Sequence, residues 1–132
     1  MNTLDNLQLD TQSFAYADLL GQDRWLPFTP SFSLTVVGTP TYTGRFKIVG
    51  NMMYFQVSAV STTSIASTAG THYLTLPRTA KGIGGVATMT NNTTNIAVGV
   101  CHIDVATSRC YLPTQAASGD TFNIAGWFEI GI

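Results

Sequence analysis

GRFKIVGNMMYFQVSAV, residues 44 to 60, is the stretch that decides the fold. Two apolar-rich runs flank Gly50-Asn51, a dipeptide suited to the two-residue turn of a β-hairpin. Because the turn sets the register, it predicts Val49 opposite Met52, Ile48 opposite Met53, Lys47 opposite Tyr54, Phe46 opposite Phe55 and Arg45 opposite Gln56. The two faces of such a ladder differ in kind. Ile48/Met53 and Phe46/Phe55 make a core face, while Lys47/Tyr54 and Arg45/Gln56 put polar heads on large bodies on the other. That second face looks at water, at a ligand, or at another copy of the chain.

The same alternation recurs outward from the hairpin. SFSLTVV places Phe32, Leu34 and Val36 on one face, and THYLTL places His72, Leu74 and Leu76 together. TFNIAGWFEIGI groups Phe122, Ile124, Phe128, Ile130 and Ile132 with Gly126, opposite Asn123, Trp127 and Glu129. NIAVGVCHI and RCYL form a further hairpin, and a loop over residues 104–107 would set Cys101 opposite Cys110. In a reducing compartment these read as two small buried thiols, with a cross-strand disulfide as the geometric alternative. Short alternating runs between Gly, Pro, Asn, Ser and Thr clusters predict an all-β fold, a single antiparallel β-sandwich of jelly-roll type over residues 25–132. An extended N-terminal arm, residues 1–24, precedes it. The hydroxyl-rich segments 61–71 and 79–95 read as loops, the second holding a short strand around Val86 to Thr90.

The chain has 132 residues, 45% of them hydrophobic and 10% charged. Soluble proteins usually carry about 25% charged residues, so the surface here is neutral and hydroxyl-rich, suited to close packing against neighbours. Residues 1–23 hold Asp5, Asp10, Asp18 and Asp23 and no cation, a charge of −4; the remainder has six cations against three carboxylates, a net +3. Those cations are scattered, which excludes a nucleic-acid stripe. No apolar run is long enough to span a bilayer, and MNTLDNLQLD has neither a basic nor an apolar signal region, so neither a membrane partner nor a secretion route is expected. In the arm, Leu7, Leu9, Phe14, Tyr16, Leu19 and Leu20 lack a period that would bury them locally, beyond a short helical turn near Phe14 to Leu20 closed by Gly21. They read as an anchor to another protein.

Catalytic chemistry finds little to work with. Asp104 and Asp120 fall at turns and Glu129 on the last strand, so no carboxylate pair of split pKa is expected; His72 and His102 read as satisfied strand residues. Cys101 beside His102 lacks metal-ligand spacing, and GIGG at 82–85 lacks the spacing of a nucleotide loop. The glycosylation sequons at 91–94 have no expected secretory route. The expectation is a non-enzyme without metal or cofactor. Trp25, Tyr42, Tyr73 and Trp127 lie on mixed or polar sides of strands or beside turns, placed to contact a glycan or a protein partner unless a second sheet covers them. Arg45, Lys47, Tyr54 and Gln56 are assigned to a subunit interface.

Three marks now stand together: Trp25-Leu26-Pro27, the run from Tyr42-Thr43-Gly44-Arg45 to Tyr54-Phe55, and Leu76-Pro77. On these the chain resembles a family of bacteriophage virion β-domains, which have a W-x-P opening, a Y-T-G-R-Y-x-K-I-G-N type hairpin and a central L-P. The resemblance covers roughly residues 25 to 130, and the hairpin is its most specific part. It implies a compact β-sandwich assembled as a homotrimer on the virion surface, at fibre tips or on the capsid. No shaft or large anchoring domain precedes the β-domain in the sequence, and 24 extended residues reach about 80 Å at most. Short reach favours a capsid decoration protein, of cement or head-fibre type, anchored through its arm to capsid or tail proteins. A receptor-binding tail-fibre tip that recognises host glycan is the alternative.

Overall fold

The computed structural model describes residues 24–131. The arm residues Leu7, Leu9, Phe14, Tyr16, Leu19 and Leu20, the helical turn among them, and Ile132 lie outside the described residues. Twelve strands make up the described chain: β1 (Leu26–Phe28), β2 (Ser31–Ser33), β3 (Thr35–Val37), β4 (Thr41–Val49), β5 (Met52–Val60), β6 (Ser64–Ser67), β7 (Tyr73–Thr75), β8 (Ala80–Asn91), β9 (Ile96–Asp104), β10 (Arg109–Tyr111), β11 (Gln115–Ser118) and β12 (Thr121–Ile130). The fold is all-β and every pairing is antiparallel. A nine-stranded sheet runs β1-β4-β5-β12-β8-β9-β10-β7-β2, and a three-stranded sheet runs β11-β6-β3.

The opening hairpin keeps the register its turn dictates, from Val49 opposite Met52 to Arg45 opposite Gln56. Gly50 takes φ +62° while Asn51 does not, which matches a type II′ turn with glycine at its first central position. Its core face is buried as expected: Ile48, Met53 and Phe55 are closed off from solvent, and Phe46 packs against them. The last strand alternates in the same way, with Phe122, Ile124, Phe128 and Ile130 inward. β12 lies between β5 and β8, so its inward residues occupy the middle of the core. From the small sheet, Ile65 closes that core.

Four expectations are corrected. Residues 79–95 are chiefly β8, a 12-residue strand in the middle of the large sheet. Its run of Gly and Thr argues weakly for a strand, yet Ala87 and Met89 bury completely against β12 and the tertiary pairing overrides propensity. A Cβ on Gly85 would overlap the carbonyl oxygen of Trp127, so glycine lets the two backbones meet there. Within 61–71, β6 forms because Ile65 and Ser67 turn inward between β3 and β11. SFSLTVV is two strands rather than one: β2 pairs with β7 in the large sheet and β3 with β6 in the small one, the chain changing sheets at Leu34. The β9–β10 loop occupies residues 105–108, because Ser108 takes a left-handed φ of +53° and Asp104 pairs with Arg109. Cys110 therefore faces Ile103, two residues from Cys101, and both cysteines are buried free thiols. Hydrogen bonding with Cys101 and burial push the Cys110 thiol up, which keeps it protonated and unreactive.

Candidate functional site

The large sheet packs the core against its inner face, and among the described residues large side chains of its middle strands stay partly exposed on the outer face. Strand alternation puts Lys47, Tyr54, Trp127, Val86, His102, Tyr111 and Tyr73 outward, and the register sets each beside the next across seven strands. This row is rich in large side chains that water still reaches: Tyr54 is 40% exposed, Trp127 37% and Val86 42%. Val100, one row further along β9, is 69% exposed. Burial of such side chains against a partner stabilises an interface, whereas in the monomer they gain little.

Two arginine–aromatic stacks lie on this face. At one end the Arg45 guanidinium lies 4.7 Å from the centre of the Trp25 ring. Arg45 Nε donates to Gln56 Oε1 at 2.8 Å, and Nη2 donates to the same oxygen. The guanidinium is thus held from one edge and stacked from one face. At the other end Arg109 stacks on Tyr73 at 4.0 Å and donates from Nη1 to the Tyr111 hydroxyl at 3.3 Å. Tyr73 and Tyr111 meet edge to face, 5.6 Å between ring centres. The hydrogen bond to Tyr111 is the main reason the Arg109 guanidinium holds its proton more firmly than usual.

Beside the first stack runs a groove of about 450 Å³ between β4, β5, β12 and β8, lined by Thr43, Arg45, Gln56, Ser58, Thr90 and Asn123. Among the described residues, Asn123 Oδ1 is shut off from solvent without a hydrogen-bond partner. A shallower hollow of about 300 Å³ is bounded by Trp25, Tyr54 and Trp127. The four residues assigned to a subunit interface are therefore divided: Lys47 and Tyr54 join the aromatic row, whereas Arg45 and Gln56 bind each other at the groove. Of the four aromatics assigned to ligand or partner contact, Trp25, Tyr73 and Trp127 lie on the outer face. Tyr42 does not. It faces the core and meets Phe32 at 4.9 Å, and burial raises the pKa of its hydroxyl. The alternation of Ile48 and Phe46 continues through Gly44 to Tyr42, so the hairpin's own period-two pattern puts it on the core face.

Asn123, Ser58, Thr43 and Thr90 had no role in the sequence analysis. The hairpin register already puts Thr43 opposite Ser58, but the pairing of β12 with both β5 and β8 brings Asn123 and Thr90 into the same row. Several other polar groups serve turns. Asp104 accepts from the Thr107 hydroxyl. Asp120 accepts from Asn91 Nδ2 at 2.8 Å, and this bond, with one to Ser118, holds its carboxyl below the usual range. Asn91 Oδ1 in turn accepts from the Thr93 and Thr94 amides, which leaves the first sequon asparagine buried and fully engaged. His72 Nδ1 accepts from the Thr68 amide at 2.9 Å. Among the described residues no three of His, Cys, Asp and Glu gather to hold a metal ion, and no helix is long and apolar enough to cross a membrane. No protein-family model matches the chain, and the comparisons with curated proteins and with solved structures likewise return no match.

Proposed function

We propose that the chain is a non-catalytic structural protein of a bacteriophage virion, a homotrimer that decorates the capsid surface and is held there by residues 1–24. One observation carries the assembly reading: the outward row Lys47, Tyr54, Trp127 and Val86 presents aromatic and apolar surface on consecutive central strands. The hairpin resemblance supports the virion setting, and the acidic charge of residues 1–23 against a weakly basic body suits an arm docked on another protein.

Sedimentation of the intact protein tests the assembly. The wild type is expected as a trimer, and Tyr54→Ala shifts it toward monomer without changing the β-type circular dichroism. A monomeric wild type, or a trimer indifferent to Tyr54→Ala and Trp127→Ala together, rejects the interface. Imaging of particles tests the location: density over the capsid shell is expected, and density confined to the tail replaces decoration with attachment. A specific observation favours that second reading, glycan attachment, namely the polar groove beside the Arg45–Trp25 stack.

A further inference from the structure

Among the described residues the most exposed large apolar side chain is Ile83, at 98%. β8 pairs with β12 at Gly85 opposite Phe128 and again at Ala80 opposite Ile130, so residues 81–84 bulge out against Glu129 alone. Gly82 and Gly84 take φ of +62° and +92°, backbone that favours glycine, and turn the chain on either side of Ile83. The outward Glu129 carboxylate fills the space that a Cβ on Gly82 would need, and Val105 lies against Gly84. The bulge is thus propped on both sides of its apolar tip. In the monomer Ile83 removes no apolar area from water and adds nothing to the fold; its contribution is available to an interface.

The same molecule carries a hollow of matching chemistry. It measures about 300 Å³ and is walled by the rings of Trp25, Tyr54 and Trp127. Ala125, paired between Gln56 and Thr88, contributes the small side chain that leaves it open. Charge matches as well. Glu129 lies at the foot of the bulge, whereas Lys47 stands opposite Tyr54 at the hollow and the Arg45 guanidinium lies over Trp25. The Lys81 stem lies along Gly131. Among the described residues neither Glu129 nor Lys47 has an ion-pair partner. The exposure of Ile83 shows that it does not fill the hollow of its own chain.

We infer that Ile83 of one copy of the chain seats in the Trp25–Tyr54–Trp127 hollow of the next copy, with Glu129 meeting Lys47 of that copy across the contact. A contact between two different patches of one molecule can repeat head to tail around a closed ring, as a trimer requires. The inference rests on the homotrimer reading and adds what aligns the copies. The outward row of Lys47, Tyr54, Trp127 and Val86 does not by itself set how one copy lies on another; a protruding side chain and its hollow do.

Two measurements on the full chain test it. In sedimentation equilibrium, Ile83→Ser is expected to raise the dissociation constant of the trimer at least about tenfold, and Ile83→Leu to leave it within about threefold. Because Ile83 is so exposed, neither change disturbs the core. Cross-linking reads the position of the contact: co-expressed Ile83→Cys and Ala125→Cys chains, oxidised with copper phenanthroline, are expected to form a disulfide-linked pair in excess of either variant alone. The native Cys101 and Cys110 are buried and do not compete. A trimer indifferent to Ile83→Ser, or Ile83→Cys chains that link mainly to each other, overturns the inference and leaves the trimer standing. A monomeric wild type overturns both.

Discussion

Phe128 and Trp127 are neighbours in β12, yet they belong to different environments. Phe128 is fully buried, 5.8 Å from the Phe55 ring between centres, while Trp127 on the other face is 37% exposed between Tyr54 and Val86. The whole strand divides in this way, Phe122, Ile124 and Ile130 facing the core and Asn123, Ala125 and Glu129 facing out. Inner residues stabilise the monomer through apolar area removed from water and through dense packing. Outer residues of the same size remain partly in water, so their large rings gain fully only when something covers them. The contrast teaches that one strand carries two separable properties, stability on one face and recognition on the other.

Substitution at the two neighbours is the strongest way to break that contrast. Phe128→Ala is expected to lose about 3–5 kcal/mol in urea unfolding, by lost transfer energy and a cavity the core cannot close. Trp127→Ala is expected to lose well under half of that when both are measured under monomeric conditions. Equal losses would mean that the outer face is part of the folding core. Gly85 gives a smaller effect of another kind. It lies opposite Phe128, and an added methyl would strike the Trp127 carbonyl, so Gly85→Ala must part β8 from β12. A loss of about 1–3 kcal/mol is expected. An unchanged midpoint would show that the two backbones are free to separate.

The smallest effect lies at the start of β12, where Asp120 accepts from Asn91. Its folded pKa is lowered below the ordinary 3.8, so the unfolded chain takes up a proton first as pH falls. The stability it contributes is complete above the unfolded pKa and disappears as pH drops through the folded value. Asp120 is half-buried and still reaches solvent, which limits the size of this contribution. Asp120→Asn is therefore expected to make stability less pH-dependent below about pH 4, with little change at neutral pH. An unaltered acid limb in the variant would mean that other carboxylates set it.

What could be read in advance follows from where the determining interactions lie. The Gly50-Asn51 turn and the alternation on either side place Arg45 against Gln56 and Lys47 against Tyr54, because a two-residue turn transmits register over nine residues without help from the rest of the chain. The final strand was equally legible, since four large apolar residues at period two admit only one buried face. β8 was not. Glycine and threonine carry little pattern, and its place in the sheet depends on Phe122 and Ile124 arriving from residues far along the chain. The Leu34 switch between sheets was hidden for the same reason, as its strands find partners in β7 and β6.

The candidate site divides along this line. By itself the sequence determined the Arg45–Gln56 pair and the outward set of Lys47, Tyr54 and Trp127, because turn chemistry and period-two alternation act between neighbours in the chain. Only the tertiary structure decided that β12 lies between β5 and β8, which lines up Tyr54, Trp127 and Val86 in one row and brings Asn123 to a groove with Ser58 and Thr90. The physical reason is that strand order in a sheet is set by how distant segments share one core, and no local preference encodes that choice.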